Sequence, residues 1–202
     1  MTSANLVSGQ GSFDNNWAKG HYGEGVHLAE SVVDAVRREV ENTDCLQGIQ
    51  LVQSLGGGTG SGLGSLLQSK LNEEYCTKTM KTYAVMPSWR ESEAETNVYN
   101  TMLSIGPHIE NGQLSVLFDN EALHGICKEQ LQIEEPTYAD LNRVMAADMA
   151  GVTSNMRFAG PDATDLRQMT VNLVPYPRIH FCLSGVAPLR RDPSSLEALS
   201  VP

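Results

Sequence analysis

The feature that most constrains this chain is a glycine-rich segment at residues 56–62, which reads Gly-Gly-Gly-Thr-Gly-Ser-Gly. A strand-like apolar run at residues 49–53 precedes it, and a helical leucine pattern that continues to Leu71 follows it. Glycines between a strand and a helix let backbone N–H groups approach phosphate oxygens at a helix N-terminus. The segment therefore predicts a phosphate-binding loop, to which Thr59 and Ser61 add hydroxyl donors.

Three familiar loops do not fit these residues. The segment lacks the G-x-x-x-x-G-K-[ST] pattern, so it has no P-loop lysine, and no register gives the G-x-G-x-x-G pattern of dinucleotide-binding loops. The G-x-S-x-G pattern of hydrolase nucleophile elbows is also missing. A purely structural glycine turn remains the alternative interpretation.

The rest of the chain alternates between strand-like and helical apolar patterns. Further strands are predicted at residues 82–86, 114–118 and 178–186. Helices are predicted at residues 25–41, 63–71, 98–104, 120–131, 138–157 and 164–173. Strands that alternate with helices indicate an α/β fold with a mainly parallel sheet.

Composition excludes several classes of function. The formal net charge is -10 and the pI is near 4.9, which argues against binding to nucleic acid or to an anionic membrane through a basic surface. No apolar run has the length of a membrane helix. Four cysteines, Cys45, Cys76, Cys127 and Cys182, are irregularly spaced, which favours free thiols over a zinc site or a disulfide framework. We expect a cytoplasmic protein.

Three residues are candidates for reading a nucleotide base, namely Asn120, Tyr138 and Asn142. Tyr138 and Asn142 are four residues apart at the start of a predicted helix and so share a face. A tyrosine ring can stack on a base, and an asparagine amide can both donate to and accept from a guanine edge. The alternative is that an asparagine near a helix start only caps the helix.

Together these segments resemble the tubulin family. Residues 56–62 match its glycine loop, and residues 15–22, 119–123, 136–138 and 174–181 match further tubulin motifs in the same order and spacing. Residues 15–22 and 44–48 are closer to the β type than to the α type. The resemblance covers essentially the whole chain. It implies an internal piece of a divergent β-tubulin-like protein, without the N-terminal phosphate loops and the C-terminal region.

The resemblance also implies a fold and partners. The expected fold is a tubulin/FtsZ-type, Rossmann-like parallel sheet flanked by helices. Residues 1–137 would form a partial GTP-binding domain, residues 138–157 a core helix, and residues 158–202 the beginning of an intermediate domain. The implied partners are an α-tubulin-like subunit, in a heterodimer and a filament, and tubulin chaperones. The implied location is the microtubule cytoskeleton of the cytoplasm.

Carried over residue by residue, the resemblance implies a site for GTP or GDP. Asn120 and Asn142 would read guanine, Tyr138 would stack on it, and Glu93 would lie near the ribose. The other implied GTP-binding residues are Asn15, Ser54, Gly56, Gly57, Gly58, Thr59, Gly60 and Ser61. Mg²⁺ is expected to accompany GTP, although the family's ligand loop for it is absent from this sequence. No catalytic residue is implied within the chain.

Four positions depart from the family pattern. Asp14 replaces a glycine beside the phosphates, which adds a negative charge and a Cβ atom where the backbone needs a positive φ. Asn97 replaces a glutamate of the sugar loop, and Ala163 replaces an asparagine that reaches the neighbouring subunit's nucleotide. Gln168 stands where the α type has a glutamate that activates water for GTP hydrolysis, and a neutral amide is a poor general base.

Two functions are compatible with this sequence. The first is a GTP-binding, tubulin-like cytoskeletal subunit whose GTP hydrolysis is completed by a neighbouring subunit. The alternative is a degenerate, non-catalytic protein that binds tubulin or tubulin chaperones without binding GTP. In either case the missing first strand of the family predicts an open edge on the sheet.

Overall fold

The computed structural model describes residues 5–9, 11–88, 95–158, 160 and 163–187. Its helices and strands in chain order are α1 (Trp17–Tyr22), α2 (Gly25–Glu41), β1 (Gly48–Ser54), a π-helical turn (Gly58–Leu63), α3 (Gly64–Glu74), β2 (Thr79–Met86), α4 (Thr96–Asn111), β3 (Leu114–Asp119), α5 (Asn120–Glu129), α6 (Tyr138–Val152), α7 (Ser154–Arg157), α8 (Leu166–Leu173) and β4 (Phe181–Leu183).

The four strands form one parallel sheet in the order β1-β2-β3-β4. Leu51 of β1 lies opposite Thr82 of β2, Thr82 lies opposite Ser115 of β3, and Ser115 lies opposite Phe181 of β4. Parallel neighbours require crossover connections, and helices supply them here. The predicted α/β class with a parallel, helix-flanked sheet is therefore confirmed.

Hydrophobic cores lie on both faces of the sheet. On one face, Met80 of β2 packs with buried residues of α2 and α3, including Ala29 and Leu67. On the other face, Tyr83 of β2 packs with α5 and α6; the other members of that core are Val116, Phe118, Leu123, Cys127, Leu131, Leu141 and Val144. Alternate residues of β2 thus face opposite cores, which makes this strand buried along most of its length.

Several boundaries differ from the predicted ones. Strand β2 begins at Thr79 rather than at residue 82, and β4 is limited to Phe181–Leu183 instead of residues 178–186. The predicted helix at 138–157 divides at Thr153, whose hydroxyl donates to the carbonyl oxygen of Met149 at 2.7 Å. Such side-chain bonds to the backbone compete with continued helix formation. The division into three domains stays a prediction.

Helix α1 was not predicted, and α4 is longer than predicted. Helix α1 has six residues, too few to produce a helical apolar pattern. Helix α4 continues past residue 104 and through Pro107 to Asn111, whose side chain donates to the carbonyl oxygen of Pro107 at 3.1 Å. The buried face of α4 is polar and includes Asn100, Ser104 and His108.

Strand β1 forms one end of the sheet. Within the residues that the structure describes, no strand pairs with its outer edge. Val52 of β1 is 57% exposed. All four cysteines are free thiols. None of the helices in the described part of the chain is long and apolar enough to cross a membrane.

Candidate functional site

A pocket of about 350 Å³ lies at the carboxyl ends of three parallel strands. Ser54 ends β1, Pro87 follows β2, and Asn120 follows β3. The residues that line the pocket are Asn15, Ser54, Gly56, Gly57, Pro87, Ser88, Asn97, Asn120 and Tyr138. In open parallel sheets, ligands bind in the crevice outside the carboxyl ends of the strands, and this pocket has that position.

The start of α5 places Asn120 in the pocket. Asp119, the last residue of β3, is the N-cap of α5, and its Oδ1 atom accepts a 3.0 Å hydrogen bond from the backbone N–H of Glu121. Asn120 is the first residue of the helix. The capping role that was the alternative interpretation of Asn120 therefore belongs to its neighbour, and the Asn120 side chain lines the pocket instead.

The start of α6 places Tyr138 at the same pocket. Asp140 accepts hydrogen bonds from the backbone N–H of Thr137 at 2.9 Å and from its hydroxyl at 2.6 Å. The hydrogen bond from the Thr137 hydroxyl lowers the pKa of the Asp140 carboxyl below its usual value. Tyr138 lines the pocket and is 71% exposed, so its side chain lies at the surface and not in the core. Asn142 follows one turn later on the same helix, as predicted.

The glycine segment forms the π-helical turn and leads into α3. Gly57 precedes the turn in an extended conformation, with φ -87° and ψ 156°. A Cβ atom on Gly58 would lie 2.7 Å from the backbone nitrogen of Asn16, and one on Gly60 would lie 2.9 Å from that of Ser54. Among the described residues, no glycine has a positive φ. These glycines are therefore required for close backbone approach, not for a left-handed conformation.

The structure brings together six of the residues predicted to bind GTP. Those that line the pocket are Asn15, Ser54, Gly56, Gly57, Asn120 and Tyr138. Those that do not line it are Gly58, Thr59, Gly60, Ser61 and Asn142. Ser61 is fully buried, and its hydroxyl donates to the carbonyl oxygen of Gly57, which is a structural contact. Glu93 lies outside the described residues.

The segment before α1 contains two consecutive residues with left-handed backbone. Asp14 has φ 46° and Asn15 has φ 52°, so the expected positive φ at position 14 is confirmed. The carboxylate of Asp14 forms an ion pair with Lys19. The hydrogen bond from Lys19 lowers the pKa of the Asp14 carboxyl, so this side chain is ionised at neutral pH. It adds a negative charge next to pocket residue Asn15.

Two asparagines of α4 connect the pocket loops, and sequence reasoning did not assign either a supporting role. The side-chain amide of Asn15 donates to Oδ1 of Asn97 at 2.7 Å and to the hydroxyl of Thr96 at 2.9 Å. The side-chain amide of Asn100 donates to the carbonyl oxygens of Asn15 and Gly56, both at 2.8 Å. The signal that could have found Asn100 is its place on the polar stripe of α4, four residues before Ser104.

The described lining of the pocket offers neutral hydrogen-bond partners and one aromatic ring rather than cations. None of the described residues that line it is lysine or arginine. Its side chains are neutral amides, hydroxyls and one exposed aromatic ring, which can hydrogen-bond to and stack on a base. In the described part of the chain, no group of three His, Cys, Asp or Glu residues could hold a metal ion.

The sequence was also compared with models of known protein families. The model described as the Tubulin/FtsZ family, GTPase domain, matches residues 1–128 of the 202. The match includes the glycine segment, the loop that contains Asn15, and Asn120. This family binds guanine nucleotides and forms cytoskeletal polymers, and the position of the pocket at the carboxyl ends of the strands agrees with it. The chain belongs to the Tubulin/FtsZ family.

Proposed function

We propose that this chain is a β-tubulin-like cytoskeletal subunit that binds GTP or GDP in the pocket at the carboxyl ends of β1, β2 and β3. The observation that carries the proposal is the meeting of two groups of residues at one pocket. Asn15, Ser54 and Gly57 come from the phosphate half of the predicted site, and Asn120 and Tyr138 come from the base half. These groups are up to 123 positions apart in the sequence, between residues 15 and 138.

Each half has chemistry that suits its part of the nucleotide. The amide of Asn120 can donate to and accept from the edge of guanine, while the ring of Tyr138 stacks on its face. Ser54 offers a hydroxyl, and Gly56 and Gly57 offer backbone N–H groups, for phosphate oxygens. The N-terminal end of the helical segment that begins at Gly58 adds a favourable dipole.

Hydrolysis of the bound GTP would require a second subunit. Gln168 lies on the exposed surface of α8, and its neutral amide is a poor general base. We therefore propose that an α-tubulin-like partner supplies the glutamate that activates water at this chain's nucleotide. This chain, in turn, would not activate the GTP of a partner through Gln168. A heterodimer within a microtubule-type filament is the arrangement that this chemistry requires.

Equilibrium binding of a fluorescent GDP derivative to the purified chain tests the nucleotide part of the proposal. Unlabelled GDP and GTP should displace the derivative, whereas ADP and ATP should not, because an Asn side chain that pairs with the guanine edge loses its partners on adenine. Displacement by ADP as effective as displacement by GDP would contradict guanine selectivity. The variant Asn120→Leu keeps the number and branching of the side-chain heavy atoms and removes the amide, and it should reduce the preference for GDP.

A second candidate function is a degenerate tubulin-like protein that binds tubulin or tubulin chaperones without GTP. The observation that favours it is the ionised Asp14 beside a pocket whose described lining has no lysine or arginine. The fluorescent GDP experiment separates the two functions. A chain that binds an α-tubulin-like partner in a pull-down assay, but shows no affinity for the GDP derivative, would support the second function and exclude the first.

A further inference from the structure

Asn100 lies where α4 meets both loops of the pocket. The residue is 4% exposed and belongs to the buried polar face of α4. Its Oδ1 atom accepts a 3.0 Å hydrogen bond from the backbone N–H of Trp17, the first residue of α1. Its Nδ2 atom donates to the carbonyl oxygens of Asn15 and Gly56 at 2.8 Å each. One side chain thus holds three backbone groups from two separate segments.

Only an amide of this length meets all three backbone groups. The two carbonyl oxygens need N–H donors, and the N–H of Trp17 needs an acceptor. An aspartate has the same shape and can accept from Trp17, but its carboxylate would face the carbonyl oxygens of Asn15 and Gly56 without a proton to donate. Because Asn100 is buried, water cannot easily replace the lost donors. The site therefore depends on the amide and not only on the size of the side chain.

We propose that Asn100 is a positioning residue for nucleotide binding, which fixes the Asn15 loop and the glycine segment at the separation that a phosphate group needs. The inference rests on the proposed function, since it concerns the same pocket. Asn100 itself is absent from the pocket lining, whereas its partners Asn15 and Gly56 belong to it. Asn100 acts through these two residues and not by direct contact with the nucleotide.

The position of Asn100 predicts an effect that is confined to one half of the pocket. Both loops that it holds belong to the phosphate half. The base half stands on other elements, because Asn120 begins α5 and Tyr138 begins α6, and these helices are anchored in the core on the opposite face of the sheet. Loss of the Asn100 amide should therefore weaken binding of ligands with phosphates and leave binding of guanosine nearly unchanged.

The test compares Asn100→Asp with the unmodified chain by isothermal titration calorimetry, with GDP and guanosine as separate ligands. We expect the affinity for GDP to fall about tenfold or more, which is the effect expected from the loss of one strong hydrogen bond. The affinity for guanosine should change less than about twofold. Lowering the pH from about 8 to about 5.5 should partly restore GDP binding in the variant, because a protonated carboxyl regains one donor.

Two further variants make the result specific. Asn111→Asp is the matched control, since Asn111 ends the same helix and its amide donates to Ser69 and Pro107 at 2.9 and 3.1 Å, away from the pocket. It should leave the affinity for GDP unchanged. Asn100→Ser buries no charge and removes the same two donated bonds. It should show the same selective loss of GDP binding if Asn100→Asp does not fold.

The outcomes separate the inference from the proposed function. If the unmodified chain binds neither ligand, the proposed function fails and the inference fails with it. If the unmodified chain binds GDP and both Asn100 variants bind it equally well, the inference alone is wrong. An equal loss of GDP and guanosine binding would also overturn it, because a merely structural role affects both halves of the pocket.

Discussion

Asp14 and Lys19 form an ion pair beside the pocket, and Asp14 makes it from a backbone with φ 46°. A glycine occupies this position in the tubulin pattern that the chain resembles. The aspartate adds a carboxylate one residue before Asn15, which lines the pocket. Because the hydrogen bond from Lys19 keeps the pKa of Asp14 low, this charge persists at neutral pH.

We therefore predict that Asp14→Gly increases the affinity for GTP, by about tenfold or less given how strongly water screens an exposed charge. Asp14→Asn separates charge from backbone effects, since asparagine also tolerates the left-handed conformation. Both variants should bind GTP more tightly, and the gain should shrink at high salt. Titration of each variant with a fluorescent GTP derivative, at low and at high salt, measures the change in affinity. Weaker binding by Asp14→Gly would show that the loop has been interpreted wrongly.

Tyr138 provides the most direct test of the base half of the pocket. Removing its ring by Tyr138→Ala should weaken GTP binding by about 1–3 kcal/mol, which is the usual contribution of one aromatic stack on a base. Tyr138→Phe keeps the stack and should bind nearly as well as the unmodified chain. Tyr176→Ala removes a tyrosine that is 67% exposed and absent from the pocket lining, so it serves as the control. Unchanged affinity in Tyr138→Ala would exclude Tyr138 from the site.

His108 makes the stability of the fold sensitive to acid. Burial lowers the pKa of its imidazole from 6.5 to about 4, and its Nε2 atom accepts a hydrogen bond from the amide of Gln53. Protonation would remove that acceptor. The unfolded chain takes up a proton near pH 6.5 and the folded chain only near pH 4, so stability is complete above pH 6.5 and falls as the pH decreases toward 4. The free energy of unfolding should decrease by roughly 3 kcal/mol between pH 6.5 and pH 4.

Urea unfolding at a series of pH values measures this loss. His108→Leu should be less stable at neutral pH, because the Gln53 amide loses its partner, but its stability should depend less on pH between 6.5 and 4. His27→Leu, at an exposed position of α2, should keep the full pH dependence. Identical pH profiles for His108→Leu and the unmodified chain would contradict the assignment.

The outer edge of β1 predicts self-association. The strand Gly48–Ser54 carries no charged residue or proline, and among the described residues no strand pairs with its outer edge. Edges of this kind pair with other strands. Sedimentation velocity should show association that increases with protein concentration. Val52→Lys places a charge on this edge strand and should reduce the association, whereas Val171→Lys, at a site on α8 that is 71% exposed, should not. Equal behaviour of the two variants would contradict a role for the β1 edge.

The parts of the fold that the sequence could predict are those with a strong local pattern. Helix α2 has the predicted bounds, Gly25–Glu41, because its apolar residues repeat on one face. The succession of β1, the glycine segment and α3 was also predicted, because each part has a local pattern of its own. These patterns are an apolar run, a glycine-rich stretch and a helical leucine repeat. The strand Thr79–Met86 was recognised only from residue 82 onward, because the buried Lys81 interrupts its apolar run.

The parts that could not be predicted depend on contacts between distant residues. Helix α4 buries its polar face and exposes apolar residues such as Tyr99 and Met102, which is the reverse of the usual amphipathic pattern. The polar face is satisfied by loops that lie far away in sequence; Asn100 and Trp17, for example, are 83 residues apart. The polar stripe of α4 marks Asn100 as a candidate, but no local pattern indicates its distant partners, so the support for the pocket was missed although most of its lining was predicted.

The central claim is a guanine-selective nucleotide site, and thermal unfolding of the purified chain tests it most directly. The chain is melted alone, with Mg-GTP and with Mg-ATP. We predict one cooperative transition that GTP shifts to higher temperature and ATP does not; at a GTP concentration 100 times Kd the stabilisation is about 2.7 kcal/mol. A cooperative transition that neither nucleotide shifts, or that both shift equally, would contradict the claim.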